Sequence, residues 1–258
     1  MMRWIAFFLT VNVAMLLGAE PPTNLHLFLL VGQSNMAGRG TVEAQDKEPH
    51  PRVWTLNAED QWVPAVDPLH NDKPKVVGVG LGRSFALALA EKHPDWQIGL
   101  IPCAHGGSPI DAWQPGVAYE PTKGHPWDDA IRRARIAMKS GQLAGILWHQ
   151  GESDSKEGLA ETYAEKLHAL ISQFRKTLNA PEVPFIAGQM GQFSEKPWSE
   201  AKKVVDQAHR QLPEQVPNSA FVASDGLAHR GDAVHFDSAS YRELGRRYAA
   251  AFEAMQKR

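Results

Sequence analysis

Apolar runs of strand length punctuate the chain at Leu25–Val31, Ile98–Pro102, Leu143–His149, Pro184–Gln189 and Ala220–Ala223. They are almost continuously apolar rather than alternating, which predicts central parallel strands covered on both faces. Between them, apolar positions three and four apart predict helices over Leu81–Lys92, Asp128–Ser140, Ala160–Leu178, Trp198–Gln211 and Ser238–Lys257. Strand and helix alternate, so the pattern predicts an α/β fold, a three-layer α/β/α sandwich with right-handed crossovers.

Two irregular stretches interrupt this alternation. Thr41 to Val77 is long and rich in Pro, Asp and His, with Val53–Leu56 a candidate for a short extra strand. Ala104 to Trp127 is rich in Gly, Pro and Trp. Loops this long are more often functional than idle, and both adjoin the carboxyl ends of strands, where open α/β sheets bind ligands. The chain shows no internal repeat, low-complexity tract or domain linker.

The first nineteen residues change the picture of where the protein works. Arg3, the apolar run Trp4–Leu17 and the small pair Gly18-Ala19 have the layout of a secretory signal peptide cleaved after Ala19. A retained anchor is the alternative, but the run is short against the roughly 20 apolar residues of a full span. The expectation is a secreted or periplasmic domain over residues 20–258, with no stable membrane association after cleavage. With 27 basic and 29 acidic residues, the chain lacks the charge footprint of a nucleic-acid or anionic-membrane binder. Its single cysteine, Cys103, excludes an intramolecular disulfide and reads as a small buried residue at a strand end.

Candidate chemistry gathers at the carboxyl edge of the inferred sheet. The first strand runs into Gly32-Gln33-Ser34-Asn35-Met36-Ala37-Gly38, which delivers a serine to a turn. No Walker-type lysine follows, and Met36 stands where the Gly-x-Ser-x-Gly elbow of α/β-hydrolases has its last glycine. Three more polar blocks reach the same edge: His105-Gly106-Gly107-Ser108, Trp148-His149-Gln150-Gly151-Glu152-Ser153-Asp154 and Asp232-Ala233-Val234-His235.

A neutral serine needs a base, and the base needs a carboxylate to orient it. The spacing Asp-x-x-His, which brings acid and imidazole to one side of a turn, occurs at Asp67/His70, Asp206/His209 and Asp232/His235. The first pair lies in the long loop, and the second reads as the solvated face of a charged helix. Only the third adjoins the sheet edge, although Asp232 could also serve as a helix N-cap. Backbone N–H groups of Ser34 and of Gly106 or Gly107, with the side-chain amide of Gln150, would supply oxyanion donors.

Glu152 fits three roles: a second acid for His235, a supporting hydrogen-bond acceptor or a substrate-hydroxyl contact. His149 reads as a packed supporting residue. His149 and Glu152 have no His or Cys at zinc spacing beside them, so metal dependence is not expected. Gln33 and Asn35, flanking Ser34, are candidate substrate contacts. Trp113 and Trp198 could stack on sugar rings or pack in the core.

With these blocks in hand, the chain resembles the SGNH (GDSL-like) hydrolase superfamily, and more closely the carbohydrate esterases of family six and the sialate O-acetylesterase domain. The resemblance rests on GQSNMAG at 32–38, GGSPIDAW at 106–113, WHQGESD at 148–154 and DAVHFD at 232–237. It implies a five-stranded parallel sheet between helices, flavodoxin-like in its layers. It also implies Ser34 as nucleophile, His235 as base, Asp232 as orienting acid and Gln150 as the side-chain oxyanion donor, with Glu152 as an added acid in some relatives.

The expected protein is a secreted, acetylxylan esterase-like enzyme acting on an acetylated poly- or oligosaccharide with no cofactor. The rival expectations are a sialate O-acetylesterase, a general short-chain or lipid esterase, and a catalytically silent carbohydrate-binding protein. The presence of Ser, His and Asp at the blocks speaks against the last.

Overall fold

Residues 22–257 are described by a computed structural model, and the segment expected to be a leader lies outside them. The five expected strands form as β1 (Leu25–Gly32), β4 (Gln97–Pro102), β5 (Gly141–His149), β6 (Phe185–Gly188) and β7 (Ser219–Val222). Two more, β2 (Val53–Leu56) and β3 (Trp62–Pro64), come from the long stretch between Thr41 and Val77. The sheet therefore has seven strands rather than five, in the order β3-β2-β4-β1-β5-β6-β7. All neighbours pair in parallel except the edge strand β3, which runs antiparallel to β2.

Setting that added pair aside, the five expected strands lie in the doubly wound, flavodoxin-like order, with the crossover direction reversing at β1. In open α/β sheets ligands bind at the carboxyl end of the strand where such a reversal falls, here β1. Ser34 follows this strand directly.

The continuous apolar pattern has a direct cause in β1, whose two faces are both buried. Leu25, Leu27, Leu29 and Val31 pack toward α3 (Pro126–Ala137), α4 (Tyr163–Thr177) and α5 (Glu200–Gln215). Phe28 and Leu30 pack toward α2 (Leu81–Lys92) and α6 (Ser238–Gln256). Each such fully buried side chain contributes about 1.5–3 kcal/mol. A polar substitution on either face of β1 would therefore act on a core.

Helix limits differ from expectation where caps decide them. The Ser199 side chain accepts from Lys202 N–H, so α5 starts after Ser199 rather than at Trp198. Asp237 caps α6 by accepting from Ser240 N–H. The N-cap alternative for Asp232 thus falls to Asp237. Among the α-helices, the single turn α1 (Ser34–Ala37) escaped the pattern. Among the described residues, no helix is long and apolar enough to cross a membrane.

Candidate active site

The site begins with the way β1 ends. Gly32 has φ +131°, and a Cβ there would lie 2.2 Å from the carbonyl oxygen of His149. Only glycine lets the two strand ends approach this closely. Gln33 N–H then donates to that same carbonyl at 3.0 Å, and the chain turns into α1 with Ser34 at its first position. Ser34 N–H precedes the first intrahelical hydrogen bond and has no acceptor among the described residues.

Asp232 and His235 arrive on the loop between β7 and α6. The Asp232 Oδ1 accepts from the N–H groups of Val234 and His235 at 2.9 and 2.8 Å. Its Oδ2 lies 2.7 Å from His235 Nδ1. Partial burial works against the charge, but these hydrogen bonds and the imidazole outweigh it and hold the carboxyl at about 2. An ionised carboxylate can only accept, so Nδ1 carries the imidazole proton and Nε2 is the acceptor. Nε2 lies 2.9 Å from Ser34 Oγ. The structure thus brings Ser34, His235 and Asp232 into one hydrogen-bonded line.

Donors for a developing oxyanion differ from the expected set. Gly106 N–H is committed to Asp72 Oδ2 at 2.8 Å. Burial disfavours the Asp72 charge, but the guanidinium of Arg39 at 2.7 Å holds it below the usual carboxylate range. Gly107, with φ +89°, keeps its N–H without a protein acceptor among the described residues.

Gln150 is a correction. Its side chain is fully buried, its Nε2 donates to Ser108 O and Asp154 Oδ2, and its Oε1 accepts from Tyr163 OH at 2.7 Å. Both amide hydrogens are in use, so none is left for substrate.

A free amide donor stands instead at Gln33. Ser153 Oγ donates to Gly107 O at 2.7 Å, and Ser153 N–H donates to Gln33 Oε1 at 3.3 Å. These contacts tie the Gln33 carboxamide to the Gly107 segment, next to Ser34. Its Nε2 has no acceptor among the described residues.

Asn35 and Glu152 also differ from expectation. Asn35 is fully buried, so it is not a substrate contact. Its Nδ2 donates to Glu152 Oε1 at 2.6 Å and to Val234 O at 3.0 Å, and its Oδ1 accepts from Tyr241 OH at 2.7 Å. One side chain therefore joins the serine turn, the end of β5, the histidine loop and α6. Of the three roles open to Glu152, the structure shows the supporting acceptor. The ring nitrogens of His235 face Asp232 and Ser34.

The aromatic candidates are scaffold. Trp113 is fully buried, donates from Nε1 to Ser108 Oγ at 3.0 Å and packs edge-on against Trp148 at 5.2 Å. Trp198 donates to Gly191 O at 2.9 Å beneath the ammonium of Lys202. Asp206 and His209 are buried rather than solvated, because their face of α5 packs on the sheet. Asp206 Oδ1 accepts from Gln189, and His209 Nε2 lies 2.9 Å from Tyr163 OH. His149 is buried beside Tyr248 OH at 3.1 Å, and burial pushes its imidazole down to about 3. Burial raises the Cys103 thiol to about 11. Among the described residues, no group of three or more His, Cys, Asp or Glu side chains is arranged to hold a metal ion.

Residues 24–254 match the family model of carbohydrate esterase, sialic acid-specific acetylesterase. The chain belongs to this family of carbohydrate esterases. It is 32% identical over 253 residues to a probable carbohydrate esterase of Arabidopsis thaliana, covering 90% of this chain and 91% of that protein. The crystal structure of an Arabidopsis thaliana protein superposes with a TM-score of 0.78 at 30% identity, covering 91% and 99% of the two chains. NanS shares the fold at TM-score 0.76 and 18% identity, covering 92% and 99%. A carbohydrate acetylesterase from Xanthomonas citri does so at 0.65 and 19%, covering 88% of this chain and 55% of that one. The protein is a carboxylic ester hydrolase, and its family acts in carbohydrate O-deacetylation.

Proposed function

We propose that this carbohydrate esterase removes O-acetyl groups from poly- or oligosaccharides with Ser34 as nucleophile, His235 as general base and Asp232 as its orienting acid. The line from Ser34 Oγ through His235 to Asp232, at 2.9 and 2.7 Å, is the observation that carries this reading. His235 Nε2 takes the hydroxyl proton as Oγ attacks the acetyl carbonyl. The oxyanion is met by the N–H groups of Ser34 and Gly107 and by Gln33 Nε2.

Collapse of the tetrahedral species expels the sugar oxygen, which leaves with the proton held on Nε2. Water then repeats the sequence on the acetyl-enzyme and releases acetate. The chemistry draws on no cofactor. Residues 1–19, read as a leader, would place the enzyme outside the cytoplasm, where acetylated polysaccharides are met. The N-terminal mass of the exported protein tests that part separately.

Acetate release from acetylated xylan and from a small aryl acetate tests the reaction. Ser34→Ala should lose about 10⁴-fold or more in kcat while its melting curve stays close to that of the wild type. A mutant that keeps most of its activity would sink the mechanism. Extending the panel to acetylated sialic acid and to longer acyl esters ranks the rival substrates. A deacetylase loses rate sharply beyond acetyl, whereas a general lipid esterase gains it.

A further inference from the structure

His229 precedes the catalytic loop, touches no reacting atom and belongs to none of the polar blocks. Its Nδ1 nevertheless accepts from the N–H of Gly231 at 2.9 Å and from the N–H of Ala233 at 3.1 Å. These two donors flank Asp232 in the chain. Accepting both requires a neutral ring with its proton on Nε2, and Nε2 faces Glu195 Oε1 at 3.4 Å. The ring is fixed from the side by Phe193, edge-on at 4.9 Å. Its backbone forms an antiparallel bridge with Phe236, and Arg230 N–H donates to His235 O at 2.9 Å.

The backbone between these ties is strained. Gly231 has φ +112°, and Ala233, which carries a Cβ, has φ +52°. A left-handed alanine persists only where its surroundings hold it. The two N–H groups converging on Nδ1, with those of Val234 and His235 on Asp232 Oδ1, supply that hold. The two on Nδ1 also set the Arg230–Gly231 and Asp232–Ala233 peptide planes, which bracket Gly231 and Asp232, whose carboxylate in turn fixes the His235 ring.

We propose that His229 is a positioning residue, whose Nδ1 acts as the template on which the loop presenting Asp232 and His235 is shaped. This rests on the reading of Ser34, His235 and Asp232 given above, and it adds a residue outside the triad on which turnover depends.

Three variants separate the acceptor from the ring. In His229→Asn, Oδ1 stands at the same bond count from the backbone as Nδ1 and has two lone pairs for the two donors. In His229→Phe the ring packing on Phe193 is kept and the acceptor is lost. In His229→Gln an acceptor is kept one bond too far out. The measurements are kcat and KM on an aryl acetate, together with the proton NMR signal of the hydrogen bond between His235 Nδ1 and Asp232, with a melting curve as control for folding.

His229→Phe and His229→Gln should lose about 10–100-fold in kcat with KM little changed, and should lose the NMR signal. His229→Asn should keep both near wild type. Wild-type kcat and an intact signal in His229→Phe would overturn the proposal, as would a folded His229→Asn impaired as badly as His229→Phe. If the wild type releases no acetate, the proposed function fails on its own, and the NMR comparison still decides whether His229 shapes the loop.

Discussion

Ser34 is 8% exposed and stands on a turn whose next residues, Asn35 and Met36, are fully buried. By contrast, the side chains of His235 and Asp232 are 24% and 40% exposed and hang on a loop that includes a left-handed alanine. Ser34, the proposed nucleophile, inherits its position from the core: the end of β1, pressed against β5 through Gly32, leaves the serine little freedom. His235 and Asp232, the proposed base and its acid, inherit theirs from local hydrogen bonds, those accepted by the Asp232 carboxylate and those accepted by His229 Nδ1. Asn35 ties the two regions together by holding Glu152 on one side and Val234 O on the other. A site built this way should lose rate without stability when the loop is altered, and should lose stability when Asn35, the buried anchor of the turn, is altered.

The sharpest break in that comparison is at Asp232. Asp232→Asn should lower kcat about 10⁴-fold through loss of the tautomer and orientation of His235, with folding intact. Glu152→Gln keeps an acceptor for Asn35 and should stay within about 10-fold of wild type. A reversed outcome would move the acid to Glu152. Because the Asp232 carboxyl titrates at about 2 rather than at 3.8, its charge favours the folded loop above the usual carboxylate range, and this contribution is lost only as pH falls through about 2. Loss of rate on acidification down to about pH 4 therefore does not come from protonation of Asp232.

A smaller effect is expected at Gln33. Gln33→Ala should cost about 10²–10³-fold in kcat with KM nearly constant, as removal of one oxyanion donor does. Gln150→Ala would show its damage mainly in the melting temperature, since its amide is spent on Ser108 O and Asp154. Equal kcat in Gln33→Ala and wild type would remove Gln33 from the oxyanion set.

The turn itself is probed by Asn35→Ala. It leaves Glu152 Oε1 and Tyr241 OH without their partner in buried surroundings, so it should destabilise the protein by about 2–4 kcal/mol in denaturant unfolding. An unchanged unfolding midpoint would mean that the joint between turn and loop carries no energy.

The sequence makes the parallel core legible because β1 and its neighbours are buried on both faces, which leaves a continuous apolar signal. β3 left none: three residues, half-exposed on the sheet edge, cannot show a period. α1 is a single turn, too short for helical spacing. Ser34, Asp232 and His235 could be picked out because each stands next to a strand end or a cap at one edge of the sheet.

The choice between Gln33 and Gln150 could not be read, since both follow a strand and only side-chain direction separates them. Gln150 turns inward to Tyr163, a residue thirteen positions away on α4. Trp113, open in the sequence between sugar stacking and core packing, is decided by Trp148, which packs against it in the core. His229 carries no spacing signal, because its link to the loop is made to backbone N–H groups and not to a side-chain pattern.

Whether the buried serine is the group that the exposed loop activates is decided by rapid acid quench of the wild-type enzyme turning over an aryl acetate, followed by mass analysis of its peptides. An acetyl group should appear on the peptide containing Ser34 and be absent in Ser34→Ala. Acetate release with no acetylated peptide, or with the acetyl on another residue, would contradict that role of Ser34.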